Sequence, residues 1–134
     1  KIAMSLSDKF CVDRHKKSFL ELVQNRLDIA FANEQEILEL IDAKSFDEVI
    51  SFGKKLNKTL VITRSDKGSV AINQDEVIEC QSQNNLKIVD LTGAGDLFAA
   101  GFLHGYLNKK TIKESLSKGT EMASKVIQII GARL

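Results

Sequence analysis

One Gly-rich segment between two apolar stretches constrains this chain most strongly. Residues Asp90–Asp96 read Asp-Leu-Thr-Gly-Ala-Gly-Asp, after the β-prone stretch Leu86–Val89 and before an apolar run from Asp96 to about Leu107. Six of the eight glycines fall in the last 42 residues and none in the first 52. The pattern predicts a strand, a tight turn and a helix, at a place where the main chain closely approaches something else.

The predicted turn has the properties of an anion site. Gly93 and Gly95 let the chain turn tightly, so that the first amides of the following helix lack partners and carry partial positive charge. Such a helix N-terminus binds anions. Asp96 would stand at the mouth of this site, where a carboxylate can accept the proton of a hydroxyl that attacks a bound phosphoryl group. The alternative is that Asp96 only complements the helix dipole.

Two familiar Gly-rich motifs do not fit the residues. A dinucleotide-binding fingerprint requires a small residue where Phe98 stands. A P-loop requires Gly-Lys-Ser/Thr, but Gly53-Lys54-Lys55 lacks the hydroxyl and the upstream glycine. Both sites are therefore excluded.

Strands and helices alternate along the chain. The periodicity predicts strands at Lys1–Ser5, Leu27–Ala32, Leu60–Thr63, Ser69–Ile72, Val77–Cys80 and Leu86–Val89, with the fourth and fifth forming a hairpin around Asn73-Gln74-Asp75. It predicts helices from about Asp13 to Asn25, from Asn33 through Ile41, from Ser45 to about Leu56, from Asp96 to about Leu107 and from Thr111 to about Ile130. Capping boxes are predicted at Ser45 with Glu48 and at Thr111 with Glu114. The order indicates an α/β sheet covered on both faces.

Polar segments follow two of the predicted strands. Asn33 and Glu36 have the spacing of an ordinary helix cap. They also have the oxygen donors that hold hydrated Mg²⁺ and the phosphates it bridges, and ligands of open α/β sheets bind at such strand ends. The turn Thr63–Gly68 offers a hydroxyl, the Arg64 guanidinium and flexible backbone to a nucleotide phosphate, although any polar turn has this composition.

Composition excludes several classes of partner. The 19 basic and 18 acidic residues nearly cancel, which argues against nucleic acid or an anionic membrane. No apolar run is long enough to span a bilayer. Cys11 and Cys80 are expected to be reduced, mostly buried thiols of a cytoplasmic protein, with a disulfide or a catalytic thiol as the alternatives. His15 and His104 are expected to be ordinary helix residues.

Three segments occur in the order and spacing of a known family. The segments Asn33–Glu36, Thr63–Gly68 and Asp90–Asp96 together resemble the ribokinase (PfkB) family of carbohydrate and nucleoside kinases. The stretches Ser5–Phe19 and Leu27–Glu36 further resemble its bacterial adenosine kinase-like branch. The resemblance covers nearly the whole chain but only the C-terminal two-fifths of a typical member. It implies a ribokinase-like three-layer α/β/α fold, present as its C-terminal portion over residues 1–134.

The resemblance also implies a role for each residue of the Gly-rich turn. Asp96 matches the catalytic base that takes the proton from a primary hydroxyl. The amides of Gly93, Ala94 and Gly95 match the anion hole for the γ-phosphoryl group.

Further residues match the nucleotide and metal sites of the family. Asn33 and Glu36 match residues that organise Mg²⁺, largely through water, and the ATP phosphates. Thr63, Arg64 and Gly68 lie in a turn that matches a nucleotide-contacting turn.

The resemblance also includes a monovalent-cation site, and at one position the sequence departs from the family pattern. Asp90 and Thr92 match positions that help form a monovalent-cation site, for which K⁺ is the candidate ion. Ser65 stands where the family often has glycine, which leaves the shape of that turn open.

The resemblance implies an ATP-dependent kinase that phosphorylates a primary hydroxyl of a nucleoside, adenosine-like, or of a sugar. A ribokinase- or fructokinase-type sugar kinase is the alternative, and a non-catalytic nucleotide-binding regulatory protein is the alternative of another class. Because both ends look cut, we expect a fragment that lacks the N-terminal substrate and lid portion, exposes apolar surface and is inactive alone. A homodimer is expected for the full-length protein.

Overall fold

Residues 1–133 are described by a computed structural model and form two compact units. The first unit comprises Lys1–Thr63 and Ala71–Val77, and the second comprises Arg64–Val70 and the residues from Ile78 onward. The strands are β1 (Ala3–Ser5), β2 (Ile29–Asn33), β3 (Thr59–Thr63), β4 (Ser69–Ile72) and β5 (Val77–Cys80). The α-helices are α1 (Lys9–Arg14), α2 (Lys16–Glu21), α3 (Glu34–Leu40), α4 (Phe46–Lys55), α5 (Ala94–Leu107) and α6 (Ile112–Val126).

The strands form one sheet in the order β1-β2-β3-β4-β5. β1 pairs in parallel with β2, and β2 with β3, in a register that places Asn33 opposite Thr63. Four consecutive residues of β2 and the three central residues of β3 are buried, which is the pattern of parallel strands covered on both faces. Five of the six predicted strands are therefore confirmed, including the hairpin, whose turn is closed by the Asn73 side chain accepting from the amides of Asp75 and Glu76.

The first predicted helix begins earlier than expected and is interrupted. The Asp8 carboxylate accepts a hydrogen bond from the Cys11 amide at 2.9 Å, so α1 starts at Lys9 rather than near Asp13. The chain breaks at His15, resumes as α2 and ends in a π-helical turn over Leu22–Arg26. Periodicity revealed the helical segment, but the cap sets its start.

The predicted capping box at the start of α4 is wrong. Ser45 is the N-cap, but its side chain accepts no amide hydrogen bond. The Glu48 carboxylate instead accepts from the Lys44 amide at 3.4 Å and from the Ser45 hydroxyl at 3.5 Å. The capping box of α6 forms as predicted, between Thr111 and Glu114.

In the second unit α5 and α6 pack closely because glycines remove side chains from their contact. A Cβ atom on Gly101 would lie 2.7 Å from the Lys118 carbonyl oxygen, and one on Gly119 would lie 2.7 Å from the Phe98 carbonyl oxygen. A Cβ atom on Gly105 would lie 2.9 Å from the Cα atom of Ser115. These late glycines serve helix packing.

The predicted strand Leu86–Val89 is wrong, because this segment has no regular structure. The amides of Val89 and Asp90 both donate to the carbonyl of Ile127, so they are not available to a sheet ladder. Ile88 and Leu91 are 64% and 65% exposed. The same carbonyl lies just beyond α6, which ends at Val126 rather than Ile130.

The structure can be compared with what composition led us to expect of the cysteines, the histidines and membrane-spanning segments. Cys11 and Cys80 are free thiols of intermediate burial. His15 and His104 are exposed, and His104 lies in α5 as predicted, but His15 lies in the break between α1 and α2 rather than inside a helix. Every helix within residues 1–133 is too short or too polar to cross a membrane.

Candidate active site

At the carboxyl end of β2, Asn33 and Glu36 hold each other in a reciprocal cap. The Asn33 Oδ1 atom accepts from the Glu36 amide at 2.8 Å, and the Glu36 Oε2 atom accepts from the Asn33 amide at 2.9 Å. A third bond joins Asn33 Nδ2 to Glu36 Oε1 at 2.9 Å. The capping interpretation of this pair is therefore confirmed, and its geometry fixes both side chains at the strand end.

Glu36 is buried, unlike most carboxylates. Burial raises its pKa above the ordinary value, and the nearby Asp8 charge acts in the same direction, while the hydrogen bond from the Asn33 amide opposes them. Each Glu36 oxygen accepts one protein hydrogen bond and keeps a lone pair. The pair thus fits a hydrated Mg²⁺, whose waters can donate to these oxygens.

Thr63 lies on the neighbouring strand and begins the second polar segment. It is the last residue of β3 and is opposite Asn33 in the register, so these two predicted site residues are brought together. The following residues, Arg64 to Gly68, form a turn closed by the Arg64 amide donating to the Gly68 carbonyl at 2.7 Å.

The turn after Thr63 contains two left-handed residues. Gly68 has φ 86°, and a Cβ atom there would overlap the Cys80 carbonyl oxygen, so only glycine fits. Ser65 has φ 53°, a conformation that glycine adopts at lower cost. The turn therefore keeps a glycine-like shape in spite of the serine.

The Gly-rich turn leads directly into α5. Gly93 is the N-cap, with φ 78°, and a Cβ atom on it would lie 2.7 Å from the Cβ atom of Ala132. The helix starts at Ala94, two residues before the predicted start, so Gly95 and Asp96 occupy its second and third positions. No side chain within residues 1–133 caps this helix start.

The first-turn amides differ in availability. The Ala94 amide donates to the Leu91 carbonyl at 3.2 Å, so in this structure the turn uses one of the three amides predicted to form the anion hole. The amides of Gly95 and Asp96 have no acceptor one turn earlier in the helix. No atom lies within 4 Å of a Cβ position on Gly95, so this side of the helix start is open.

Asp96 is exposed in the first turn of α5. Its carboxylate makes no hydrogen bond or ion pair with another residue in the described range 1–133. An acid at an open, uncapped helix start can accept a proton from a bound hydroxyl while the adjacent amides stabilise negative charge. The predicted base and part of the predicted anion hole therefore lie together.

Asp90 and Thr92 precede this turn and bind each other. The Asp90 Oδ1 atom accepts from the Thr92 amide at 2.9 Å and from its hydroxyl at 2.7 Å, and Oδ2 accepts from the Gly131 amide at 2.9 Å. These three bonds lower the pKa of Asp90, the Thr92 hydroxyl contributing most. The monovalent-cation role stays a prediction, and residues 1–133 contain no cluster of three or more His, Cys, Asp and Glu side chains suited to a metal.

The predicted site residues fall into two groups. Asn33, Glu36 and Thr63 belong to the first unit, whereas Arg64, Gly68 and the Asp90–Asp96 segment belong to the second. Sequence reasoning missed Gly131 and Ala132, which contact Asp90 and Gly93. The late glycine at position 131, with φ 91°, was the available signal, but nothing in the sequence indicated its contact 41 residues upstream.

The sequence matches a known family over nearly the whole chain. The profile of the pfkB family carbohydrate kinases matches residues 2–134. This chain belongs to the PfkB family. The expected α/β, ribokinase-like fold is confirmed by solved PfkB-like structures: adenosine kinase from Sinorhizobium meliloti superposes with a TM-score of 0.94 at 41% identity over 98% of this chain.

Other similar proteins are named as kinases of different acceptors. A "probable sugar kinase protein" from Rhizobium etli superposes with a TM-score of 0.93 at 38% identity over 99% of this chain. A cytidine kinase of Thermococcus kodakarensis is 31% identical over 84% of it. The chain spans about two-fifths of these proteins, 41% of each.

Proposed function

We propose that this chain is the ATP-binding and catalytic portion of a PfkB kinase that transfers the γ-phosphoryl group of ATP to a primary hydroxyl. The observation that carries the proposal is the exposed Asp96 carboxylate, without a protein partner in residues 1–133, beside the open amides of an uncapped helix. A helix start that served stability alone would gain from a cap such as those of α3 and α6.

In the proposed mechanism Asp96 accepts the proton of the attacking hydroxyl. The amides of Gly95 and Asp96, at the positive end of α5, stabilise the charge on the transferring phosphoryl oxygens. Phosphoryl transfer depends on positioning and charge stabilisation more than on covalent chemistry, so these few groups are enough at this end of the site.

Asn33 and Glu36 would hold the hydrated Mg²⁺ of the nucleotide. When bound, Mg²⁺ neutralises phosphate charge. The chain's own contribution is the reciprocal cap, which keeps the Glu36 oxygens fixed at the end of β2. Thr63, Arg64 and Gly68 are proposed to contact the nucleotide, since their closed turn follows the adjacent strand.

We favour a nucleoside of the adenosine type as acceptor. The support is the 41% identity to the Sinorhizobium meliloti adenosine kinase, against 38% to the Rhizobium etli sugar kinase protein. The difference is small, so a sugar acceptor is the second candidate. Location in the cytoplasm, a homodimer and inactivity of residues 1–134 alone stay predictions.

The test is an ATP-turnover assay on the natural protein that carries this chain, with nucleosides, pentoses and hexoses offered in parallel. We expect ADP formation to depend on one acceptor class and the product to carry phosphate on its primary hydroxyl, as read by ³¹P NMR. ATP binding by calorimetry without phosphorylation of any acceptor would instead support the non-catalytic regulatory alternative.

A further inference from the structure

We propose that Asp90 is a positioning residue that ties the anion-binding turn of α5 to the segment after α6. The inference deepens the proposed function and rests on it, because a positioning role has meaning only if the turn binds the transferring phosphoryl group. Asp90 itself lies three residues before Gly93 and would not contact the reacting atoms.

The first step is the set of hydrogen bonds around the Asp90 carboxylate. On one side Oδ1 accepts both the amide and the hydroxyl of Thr92, at 2.9 and 2.7 Å. On the other side Oδ2 accepts the Gly131 amide at 2.9 Å. Charge-assisted hydrogen bonds of this kind are stronger than those between neutral groups. The Asp90 side chain therefore joins Thr92, just before Gly93, to Gly131, which lies 41 positions after Asp90.

The second step is that this connection continues on both sides of Asp90. The amides of Val89 and Asp90 donate to the Ile127 carbonyl at 2.8 and 3.2 Å. Beyond Thr92, the Cα position of Gly93 faces Ala132 so closely that a Cβ atom would lie 2.7 Å from the Ala132 methyl group. The segment from Val89 to Gly93 thus lies against residues 127–132.

The third step is that no regular structure holds this segment. Residues 81–92 contain no strand or helix, and the side chains of Ile88 and Leu91 are largely exposed. Segments with few buried contacts open easily. The Asp90 bonds therefore restrain residues 90–93, the segment that enters α5 just before the Gly95 and Asp96 amides.

A misdirected amide affects catalysis more than stability. Donors that stabilise a transition state act because they are fixed before the reaction. A displacement of about 1 Å in such a group costs on the order of 100-fold in rate. A loss of Asp90 should therefore lower kcat while the acceptor KM changes little.

A monovalent cation is the competing role for Asp90. Oδ1 already accepts two donors and Oδ2 one, so the protein fills most of the acceptor capacity of the carboxylate. The hydrogen bonds restrain the turn without an ion. The two roles differ in their dependence on K⁺, which an experiment can measure.

The experiment compares Asp90→Asn with wild type in the natural protein, using Mg·ATP and the acceptor found by the panel. An asparagine side chain has only one acceptor oxygen, and its NH₂ group cannot accept. It therefore cannot accept hydrogen bonds from both Thr92 and Gly131 as the two carboxylate oxygens do, so one of these connections is lost. We expect kcat to fall ~10- to 100-fold, the acceptor KM to stay within about twofold, and the loss to persist at every KCl concentration. The matched control is Thr111→Val, which removes a cap at the far end of α6 and should leave kcat unchanged.

Several outcomes overturn the proposal. A kcat for Asp90→Asn within twofold of wild type does so, and so does a defect that high KCl restores. If Asp90→Asn does not fold, Thr92→Val and Thr92→Ser replace it: only serine keeps the hydroxyl donor, so valine should have the lower kcat, and equal rates refute the role.

The proposal and the proposed function can fail separately. If wild type phosphorylates no acceptor, the proposed function fails. The positioning role is then tested by amide hydrogen exchange. The amides of residues 92–97 should exchange faster in Asp90→Asn than in either wild type or the control Thr111→Val. Unchanged exchange there overturns it.

Discussion

The starts of α3 and α5 both carry candidate site residues, yet they are completed in opposite ways. At α3 the Asn33 and Glu36 side chains each accept a hydrogen bond from the other residue's amide. At α5 Gly93 has no side chain to cap with, and Asp96 is exposed. A filled helix start keeps its shape without a ligand, whereas an open one keeps unpaired amides for a ligand. The capping role of Asn33 and Glu36 is therefore seen in the structure itself, whereas Asp96 caps nothing within residues 1–133 and has only the proposed catalytic role.

The largest effect is expected at the open start, from Asp96→Asn. If Asp96 is the base, kcat should fall by about 10²–10⁴-fold while ATP affinity stays similar, because a general base contributes about that much to the rate. Steady-state kinetics of the natural protein and ATP calorimetry measure the two quantities.

Asp47→Asn is the matched control for Asp96→Asn. Asp47 is also an exposed acid in a first helical turn, that of α4, so its loss weakens only a helix-dipole interaction. We expect normal turnover in this variant. Near-normal turnover in Asp96→Asn as well would mean that Asp96 only interacts with the dipole of α5. The functional contrast between the starts of α3 and α5 would then be lost.

A second pair of variants separates the two glycines of the open start. Gly93→Ala should lower the free energy of unfolding by roughly 2–4 kcal/mol, because it combines a left-handed φ of 78° with a close approach to Ala132. Gly95→Ala meets nothing within 4 Å and sits in a helix, where alanine is preferred, so stability should not fall.

Gly95→Ala is expected to affect nucleotide binding rather than stability. The methyl group of Gly95→Ala would stand in the open space before the amides, so the KM for ATP should rise although the protein is stable. Thermal unfolding and kinetics measured side by side would show this. An unchanged KM for ATP in Gly95→Ala would place the phosphates elsewhere.

At the filled start, Glu36→Gln is compared with Glu114→Gln in α6. Glutamine can serve in a capping box, so both variants should stay folded. Only Glu36→Gln should shift the Mg²⁺ dependence of activity, because, of these two glutamates, only Glu36 is proposed to hold hydrated Mg²⁺. An identical Mg²⁺ titration in wild type and Glu36→Gln would leave Glu36 with the capping role alone.

The two capping glutamates also predict opposite pH effects. Burial raises the pKa of Glu36, whereas hydrogen bonds from the Thr111 amide and hydroxyl lower that of Glu114. A raised pKa means that the contribution of Glu36 to stability is lost as pH rises from 4.5 through its folded pKa. The contribution of Glu114 is present above 4.5 and lost as pH falls.

These signs can be read from unfolding midpoints of the two variants against pH, without Mg²⁺. Relative to wild type, Glu36→Gln should become more stable as pH rises above 4.5, and Glu114→Gln less stable. Parallel curves for the two variants would contradict the difference in burial.

The smallest effect is expected from Ser65→Gly. Ser65 has φ 53°, which costs an L-residue about 1–2 kcal/mol, and the greater unfolded-state entropy of glycine cancels part of the gain. We expect stability to rise by up to ~1 kcal/mol, measured by denaturant unfolding. A loss of stability would mean that the Ser65 side chain makes a contribution larger than its backbone strain.

Much of the fold could be predicted because its signals are local. The buried strands β2 and β3 have compact apolar runs, and the cap of α6 has both of its residues within one turn. The start of α1 depends on which polar residue caps the helix. The sequence pattern indicated a start near Asp13, but Asp8 is the cap. The strand expected at Leu86–Val89 is absent because strand propensity does not supply a pairing partner.

The site could be predicted as residue types in segments, but not as contacts. The acid, the glycines and the polar turns were all visible in order along the chain. The Asp90–Gly131 hydrogen bond, between residues 41 positions apart, has no periodicity or motif that could reveal it. Likewise, only the structure shows that the Ala94 amide closes its own turn.

The glycines between α5 and α6 have a consequence for how this protein can vary. Gly101, Gly105 and Gly119 each bring backbone or side-chain atoms within 2.7–2.9 Å of where a Cβ would be. Any larger residue must increase the distance between the two helices, and α6 leads directly into the Ile127 carbonyl that holds the segment before the Gly-rich turn. In a saturation library, substitutions at these three buried positions should therefore deplete as strongly as those in the site itself.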